Sequence, residues 1–341
     1  MDETLQKETE RLRHAWDRHD PAWLGQYLVQ DVEDPRRNIQ SILTRHFLLA
    51  ALQRSEWEPL FQAELEFAAA LNWLLEPRHG VETAEDRRLL HFALRTGAPD
   101  AEGIQVPTFP HRLFRQLPRT IGTVTVPHYL ERFLASSGSA GPDPSASEDL
   151  LDTFARLWFE QLSPLPPAGL SVLEPACGSA NDARFLDRFG LLQLFDYTGF
   201  DLCAANVANA RRLCPRGRFL EANLFELPFA DRSFDFAFVH DLFEHLSPRA
   251  LPVAVHELCR VVRQGLCVHF FHMDEIPETR VQPLGPYHWN LLSLEQTWNL
   301  FTAEGFDGAP LHIGSYLRQR TGSPWTHNPA AYTFLLYRTR P

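Results

Sequence analysis

The stretch LSVLEPACGSANDARFLDRFGLLQLFDYTGFD, residues 170–201, decides how the chain folds. It opens on a short apolar run, LSVLEP, and breaks at the small residues of ACGSA. It continues through NDARFLDRFG with apolar residues at helical spacing, and it closes on a second apolar run, DYTGFD. Strand, turn, amphipathic helix and strand make one βαβ unit, and its two strands must lie parallel in one sheet. Downstream the alternation repeats. A helix follows Asp201 with Cys203, Val207, Ala210 and Cys214 at helical spacing, and GRFLEAN, FDFAFVHD and LCVHFFHM read as three further strands. Between the last two, Ser247 as N-cap and Pro248 at the first helical position open a helix buried through Leu251, Val255, Leu258 and Val262. A capping box, Ser293 with Gln296, opens the last helix and Gly305 closes it, before LHIG and AYTFLLYRT add a hairpin pair. The expected fold is α/β, a doubly wound and mostly parallel sheet of seven strands with helices on both faces.

Upstream, Ser147 is placed to cap a helix carrying Leu151, Phe154, Trp158 and Leu162 on one face. Before it, ASSGSAGPDPSASED (135–149) replaces apolar periodicity with Ser, Gly and Pro, as an exposed linker does. The expected division is a mainly helical N-terminal domain over 1–135, a linker over 136–146 and an α/β domain over 147–341. In the first part, residues 34–53 and 57–76 are long, aromatic-rich and helical in period, with Asn38 and Ser55 as N-cap residues. The first 95 residues read as helix throughout. Prolines 99, 107, 110 and 118 then break the pattern, and TVTVPHYLERFL reads as a short strand before another helix.

Composition removes several function classes. The chain has 341 residues, 44% hydrophobic and 22% charged, which is globular rather than disordered. Its 32 basic and 43 acidic residues leave a formal charge of −11, the wrong sign for tracking nucleic-acid phosphates. No apolar run approaches the ~20 residues that cross a bilayer, and the start, MDETLQKETERLRHAW, is charged where a secretory leader is apolar. A cytosolic protein with neither membrane nor nucleic-acid partner is expected. Lys7 is the single lysine, so chemistries needing a lysine amine lose their essential group, Schiff-base enzymes and P-loop hydrolases among them. Five cysteines, 177, 203, 214, 259 and 267, form no CxxC pair and read as small core residues.

In an open α/β sheet ligands bind beyond the carboxyl ends of the strands. Three strand ends carry suitable chemistry. EPACGSA (174–180) offers Glu174 for a cation and small residues, Ala176, Gly178 and Ala180, for close backbone approach. Asp201 follows the second strand, where an acid accepts ribose hydroxyls, and Asn223 with Leu224 follows the third, where an amide can read an adenine edge.

These motifs resemble class I S-adenosylmethionine-dependent methyltransferases, especially the small-molecule branch similar to quinone-ring C-methyltransferases. The resemblance covers roughly residues 147–341. The family's E/D-x-x-x-G-x-G loop appears as EPACGSA, the acid ending its second strand as GFDL, and its D-A-x-x-L-P-F-x-D-x-S-F-D lead-in as NLFELPFADRSFD. Ala180 stands where the last glycine is usual, and Asn223 where aspartate is. The resemblance implies a Rossmann-like methyltransferase fold and S-adenosylmethionine as cofactor. Its contacts would be Glu174, Ala176, Gly178, Ser179, Asp201, Leu202, Asn223, Leu224 and His240.

Histidines gather at the remaining strand ends: His240, Asp241, Glu244 and His245 in FVHDLFEHLS, His269 and His272 in VHFFHM, and His288 in GPYHWN. His245, His240, Asp241, His272 and His288 form the candidate catalytic set, because a neutral imidazole removes a proton from an acceptor as the methyl arrives. A metal reading of Asp241, His245, His272 and His288 has no ligand spacing such as HExxH behind it. The expected activity is methyl transfer to an O, N or C atom of a small molecule, with the helical domain as a lid or dimer contact. Two alternatives remain: a non-catalytic S-adenosylmethionine-binding protein, which intact cleft histidines oppose, and a nicotinamide oxidoreductase, which the missing G-x-G-x-x-G opposes.

Overall fold

The structure, a computed structural model, describes residues 2–26, 34–74, 89, 100–101, 104–105, 151–322 and 328–339. The expected linker at 136–146, the Ser147 cap and TVTVPHYLERFL lie outside these residues.

The segment read first forms β1 (Leu170–Pro175), α6 (Asn181–Arg188) and β2 (Phe195–Asp201). The strands pair in parallel, with Leu173 beside Thr198 and Glu174 beside Gly199. α7 (Ala204–Leu213) leads to β3 (Arg218–Glu221), and β4 (Phe234–Val239), α8 (Ala250–Val261) and β5 (Val262–Phe270) follow. α8 opens at Ala250 with Arg249 at its N-cap, two residues later than expected, and Pro248 lies in the turn before it; Ser247 Oγ accepts from the Ala250 N–H at 3.1 Å. Val262, expected as the last buried residue of that helix, opens β5 instead. α9 (Leu294–Ala303), β6 (Phe306–His312), α10 (Ile313–Thr321) and β7 (Tyr332–Arg338) complete the unit. Ser293 caps α9 through the Gln296 N–H, but the Gln296 side chain accepts from Thr279 rather than closing the box.

The strand order is β6-β7-β5-β4-β1-β2-β3, a seven-stranded sheet. β1 to β5 follow the doubly wound 3-2-1-4-5 order, and the switch point falls between β1 and β4. β7 runs antiparallel to both β5 and β6. The expected hairpin is therefore a pair of strands joined by a helix: LHIG divides at His312, whose ring accepts from the Ser315 N–H and turns the chain into α10.

Alternate side chains of the central strands feed two cores. Val172, Phe236, Phe238 and Cys267 face one, and Leu173, Ala237, Val239, Leu266 and Val268 face the other. α8 and α9 cover the second face. Over the first lie α3 (Ile39–Ala50), α4 (Glu58–Leu74) and α5 (Thr153–Leu162), with α6 and α7. α3 starts at the expected cap, Asn38, whose side chain accepts from the Gln40 and Ser41 N–H groups at 2.8 and 3.1 Å. A 3₁₀ turn, Ser55–Trp57, leads into α4 where a cap at Ser55 was expected. α3 lies close on β5, and a Cβ at Gly265 would stand 3.1 Å from the Phe47 ring. Arg45, Glu64 and Trp158 lock α3, α4 and α5 together: Glu64 accepts from Arg45 and from the Trp158 indole, both at 2.8 Å, with all three side chains sealed from solvent. The described upstream helices thus share the core of the sheet.

α1 (Glu3–Trp16) and α2 (Pro21–Leu24) run across the carboxyl ends of the strands. Leu5 enters the second core beside Leu224 and Leu246, and Asn209 of α7 donates to the Pro21 carbonyl at 2.6 Å. After β5 the chain adds a short antiparallel hairpin, Pro283–Leu284 with Tyr287–His288, at the same edge.

Candidate active site

The turn after β1 is built from residues in the left-handed region, with φ of 51° at Ala176, 53° at Gly178 and 63° at Ala180. Ala180 therefore holds, with its methyl fully buried, a conformation glycine adopts at far lower cost. These reversals carry the Gly178 N–H onto Asp201, whose Oδ2 accepts it at 3.0 Å. The other carboxylate oxygen accepts from the Cys203 N–H at 2.9 Å and from Asn206 at 3.1 Å. Asp201 is thus the clasp between the β1 turn and the start of α7, and three of its roughly four lone-pair positions are in use. Ser179 faces α7 as well, donating to Asn206 Oδ1 at 3.1 Å. Leu202 follows the clasp, half-buried.

Glu174 lies beneath the turn and is almost fully buried. It accepts the Tyr197 O–H, and Gly199 makes that contact possible, since a Cβ there would meet the Tyr197 oxygen at 2.7 Å. Burial, then the Asp182 charge, and further the Asp201 charge push its carboxyl well above the ordinary range, against the tyrosine hydrogen bond. Glu174 of β1 thus feels the charges of Asp182 on α6 and Asp201 on β2. Asn223, after β3, donates to Thr9 of α1 at 3.0 Å and accepts from the Phe225 N–H at 3.0 Å. Leu224 packs in the second core.

The candidate histidines separate into two groups. His240, at the end of β4, reaches Thr44 Oγ1 at 3.0 Å and Asp182 at 3.7 Å, and its ring lies 4.1 Å from that of His269. His245 sits in a 3₁₀ turn, Phe243–His245, where helical continuation from Asp241 was expected. Its Nδ1 donates to the His288 carbonyl at 2.9 Å, and Phe271, Tyr287 and Trp289 ring it at 5.3 to 5.6 Å. Burial pushes its pKa down, so at neutral pH it is uncharged with Nε2 as the lone-pair nitrogen. His272 Nδ1 pairs with the Asn290 carbonyl at 3.1 Å, and His288 keeps a buried Nδ1 without a hydrogen bond. Between the groups Asp241 is held at φ 46°, and Glu244 is fully buried, its Oε1 accepting from the Phe271 N–H at 2.7 Å. Burial and the Asp241 charge raise Glu244 well above the carboxylate range.

Glu244 and His269 belong to the expected gathering at the strand ends, whereas Thr44 and Asp182 were not among the expected site residues and the sequence around Thr44 leaves no trace of it. Among the described residues no three His, Cys, Asp or Glu side chains are grouped to hold a metal ion.

Residues 173–268 match the family described as "Methyltransferase domain". Over those residues the chain is similar to that family. Over 124 residues, 35% of the chain and 47% of the relative, it is 33% identical to a malonyl-acyl-carrier-protein O-methyltransferase of Pectobacterium atrosepticum. Over 137 residues, 39% of the chain and 48% of the relative, it is 30% identical to a fatty-acid O-methyltransferase of Mycolicibacterium smegmatis. The chain spans about half the length of these curated relatives. Among solved structures, an S-adenosylmethionine-dependent methyltransferase from Mesorhizobium loti aligns with TM-score 0.40 at 17% identity, over 55% of this chain and 99% of that one. The 1,6-didemethyltoxoflavin-N1-methyltransferase of Burkholderia thailandensis aligns with TM-score 0.37 at 18% identity, over 55% and 76%. With both scores under 0.5, the fold assignment stands on the strand order itself.

A cofactor that carries a sulfonium and an ammonium, as S-adenosylmethionine does, would fit the donor set: Glu174, its carboxyl raised by burial and then by the Asp182 and Asp201 charges, would give up its proton beside such a cation.

Proposed function

We propose that the protein transfers a methyl group from S-adenosylmethionine to a small-molecule acceptor, with oxygen first among O, N and C because both quoted relatives are O-methyltransferases by name. The observation that carries this reading is the acidic cluster at the left-handed loop, in which Glu174 is held above its ordinary proton affinity by burial and by its acidic neighbours. Glu174 takes the methionine ammonium, the loop through Ala176, Gly178 and Ser179 lies under the cofactor, and Asp201 with Leu202 faces the ribose. Asn223 and Leu224 flank the adenine, with Thr9 exchanging its hydrogen bond from Asn223 for one from the ligand. S-adenosylmethionine supplies an electrophilic methyl on positively charged sulfur. The chain's part is to align acceptor, carbon and sulfur, to exclude water, and to remove a proton where the acceptor carries one. His240 and His245 are the residues placed for that proton. Asp241, His272 and His288 shape the acceptor side beside them. The aromatic rings of Phe271, Tyr287 and Trp289 offer an apolar wall to a small organic acceptor.

Two measurements test the reading in sequence. Calorimetry should show saturable binding of S-adenosylmethionine and of its demethylated product, and labelled methyl should then appear on an acceptor from a panel of hydroxyls, carboxylates, amines and activated ring carbons. The absence of binding by either ligand overturns the proposal. Binding with no transfer across the panel favours a non-catalytic cofactor-binding protein.

A further inference from the structure

α3 brings a hydroxyl to the methyl-transfer edge from a part of the chain nearly 200 residues away. Thr44 Oγ1 lies 3.0 Å from His240 Nε2 and 2.6 Å from His269 Nε2, so one hydroxyl bridges two adjacent imidazoles. Beyond His269, its Nδ1 lies 2.8 Å from Thr333 Oγ1 on β7. A threonine hydroxyl has one proton to donate, so it serves at most one imidazole as donor, and a continuous chain of hydrogen bonds through it runs in one direction or the other. In one direction His240 Nε2–H donates to Thr44, Thr44 donates to His269 Nε2, and His269 Nδ1–H donates to Thr333. In the other every donor is reversed, and His240 Nε2 becomes a lone pair.

Two neighbours decide between them. Asp182 Oδ1 stands 3.7 Å from His240 Nε2, a carboxylate that attracts a proton-bearing nitrogen and repels a lone pair. Cys267 Sγ lies 3.4 Å from His269 Nε2, and a thiol kept protonated by burial contacts an acceptor nitrogen better than an N–H. Both select the first direction. Burial pushes His269 far below the usual histidine pKa, and the neighbouring His240 lowers it further, so His269 stays neutral.

We propose that Thr44 and Asp182 are positioning residues that hold His240 as the Nε2–H tautomer and so make Nδ1 the base atom of the active site. Nδ1 makes no hydrogen bond to a described residue and belongs to a half-buried side chain. As the acceptor attacks the methyl carbon, the bond to carbon forms and the carbon–sulfur bond breaks with its electron pair left on sulfur. The acceptor's proton passes to Nδ1, and Asp182 and Thr44 stabilise the imidazolium from the Nε2 side before solvent takes the proton. The groups facing His240 are Asp182 from α6, Thr44 from α3, His269 from β5 and the Phe238 ring on its own strand. This inference rests on the methyl-transfer reading for its meaning, but its test reads the ligand-free protein.

The experiment is long-range ¹H–¹⁵N correlation of the histidine rings at neutral pH in wild type, Thr44→Val, Thr44→Ser and Asp182→Asn. Wild-type His240 should show Nε2–H with an unprotonated Nδ1. Thr44→Val and Asp182→Asn should each mix the tautomers, and Thr44→Ser should keep the wild-type pattern. If Thr44→Val fails to fold, Thr44→Ser and Asp182→Asn still read the tautomer. Nδ1–H in the wild type, or a tautomer unmoved by both Thr44→Val and Asp182→Asn, overturns the proposal. Calorimetry of S-adenosylmethionine binding on the same samples keeps such a failure apart from a failure of the methyl-transfer reading.

Discussion

Glu174 shows how a single side chain is suited to a charged ligand at a cost to the empty protein. Its carboxyl is raised in the fold above the ordinary value of 4.5, first by burial and then by Asp182. The folded state therefore binds this proton more tightly than the unfolded chain, and the associated stability is full below 4.5 and is lost as pH rises toward the raised value. Glu174→Gln keeps an acceptor for the Tyr197 hydroxyl and removes the charge. It is expected to be more stable than wild type at pH 8, to lose that advantage at pH 5, and to bind S-adenosylmethionine about tenfold or more weakly. Urea midpoints at the two pH values and calorimetry check this. Midpoints that run parallel would mean that Glu174 is ionised in the empty protein. Glu244 and Asp201, also raised, keep their own share of the pH slope in the variant.

α1 illustrates an element whose helix depends on its docking. Isolated helices shorter than ~12–15 residues are marginal in water. Asp2 caps α1 through the Thr4 and Leu5 N–H groups, and Leu5 is its apolar anchor. The central tie is Glu8, buried, which accepts the Ser247 N–H at 3.0 Å and the Ser247 O–H at 2.6 Å. Glu8→Ala removes both partners at the start of α8 and should cost about 1–3 kcal/mol. The loss should be local: hydrogen exchange over residues 3–16 should quicken, with β1 and β4 keeping their protection. Because Thr9 on the same helix holds Asn223, S-adenosylmethionine should also enter and leave faster in stopped-flow measurements. Equal acceleration of exchange in the central strands would show that α1 is part of the global fold rather than a separately opening cover.

Over the molecule as a whole, the Arg45, Glu64 and Trp158 cluster ties together the upstream helices that cover the seven-stranded sheet. Glu64 is held down to about 2 by Arg45 and His46 against the cost of burial, and the Arg45 guanidinium also lies over the Phe189 ring at 4.0 Å. The sign is opposite to that of Glu174. Stability from Glu64 is present above its unfolded value of 4.5 and is lost as pH falls toward 2. Glu64→Ala strands a buried arginine and is expected to cost about 3–5 kcal/mol. Since α3, α4 and α5 share one core with β1 and β4, melts followed by tryptophan fluorescence and by far-UV circular dichroism should fall together. Two separated transitions would show that the upstream helices unfold as a unit of their own.

The alternation of strand and helix, the Asn38 and Ser293 caps, and the placing of Glu174, Asp201 and Asn223 at the carboxyl ends of strands were legible in the residues alone. Periodicity and capping are local, and a parallel sheet always gathers its carboxyl ends on one edge. Contacts across the chain were not legible. Nothing around Thr44 marks a hydroxyl that meets His240 and His269, since a hydrogen bond over 196 residues leaves no periodic trace. The left-handed turn at Ala180 was hidden behind an ordinary residue, because sequence shows which side chain stands there and not which backbone angle its neighbours impose. The closing of α1 over Asn223, and the separation of His240 from His245 into two clusters, came only from packing. Burial pattern says that a face is covered, and the tertiary fold alone decides what covers it.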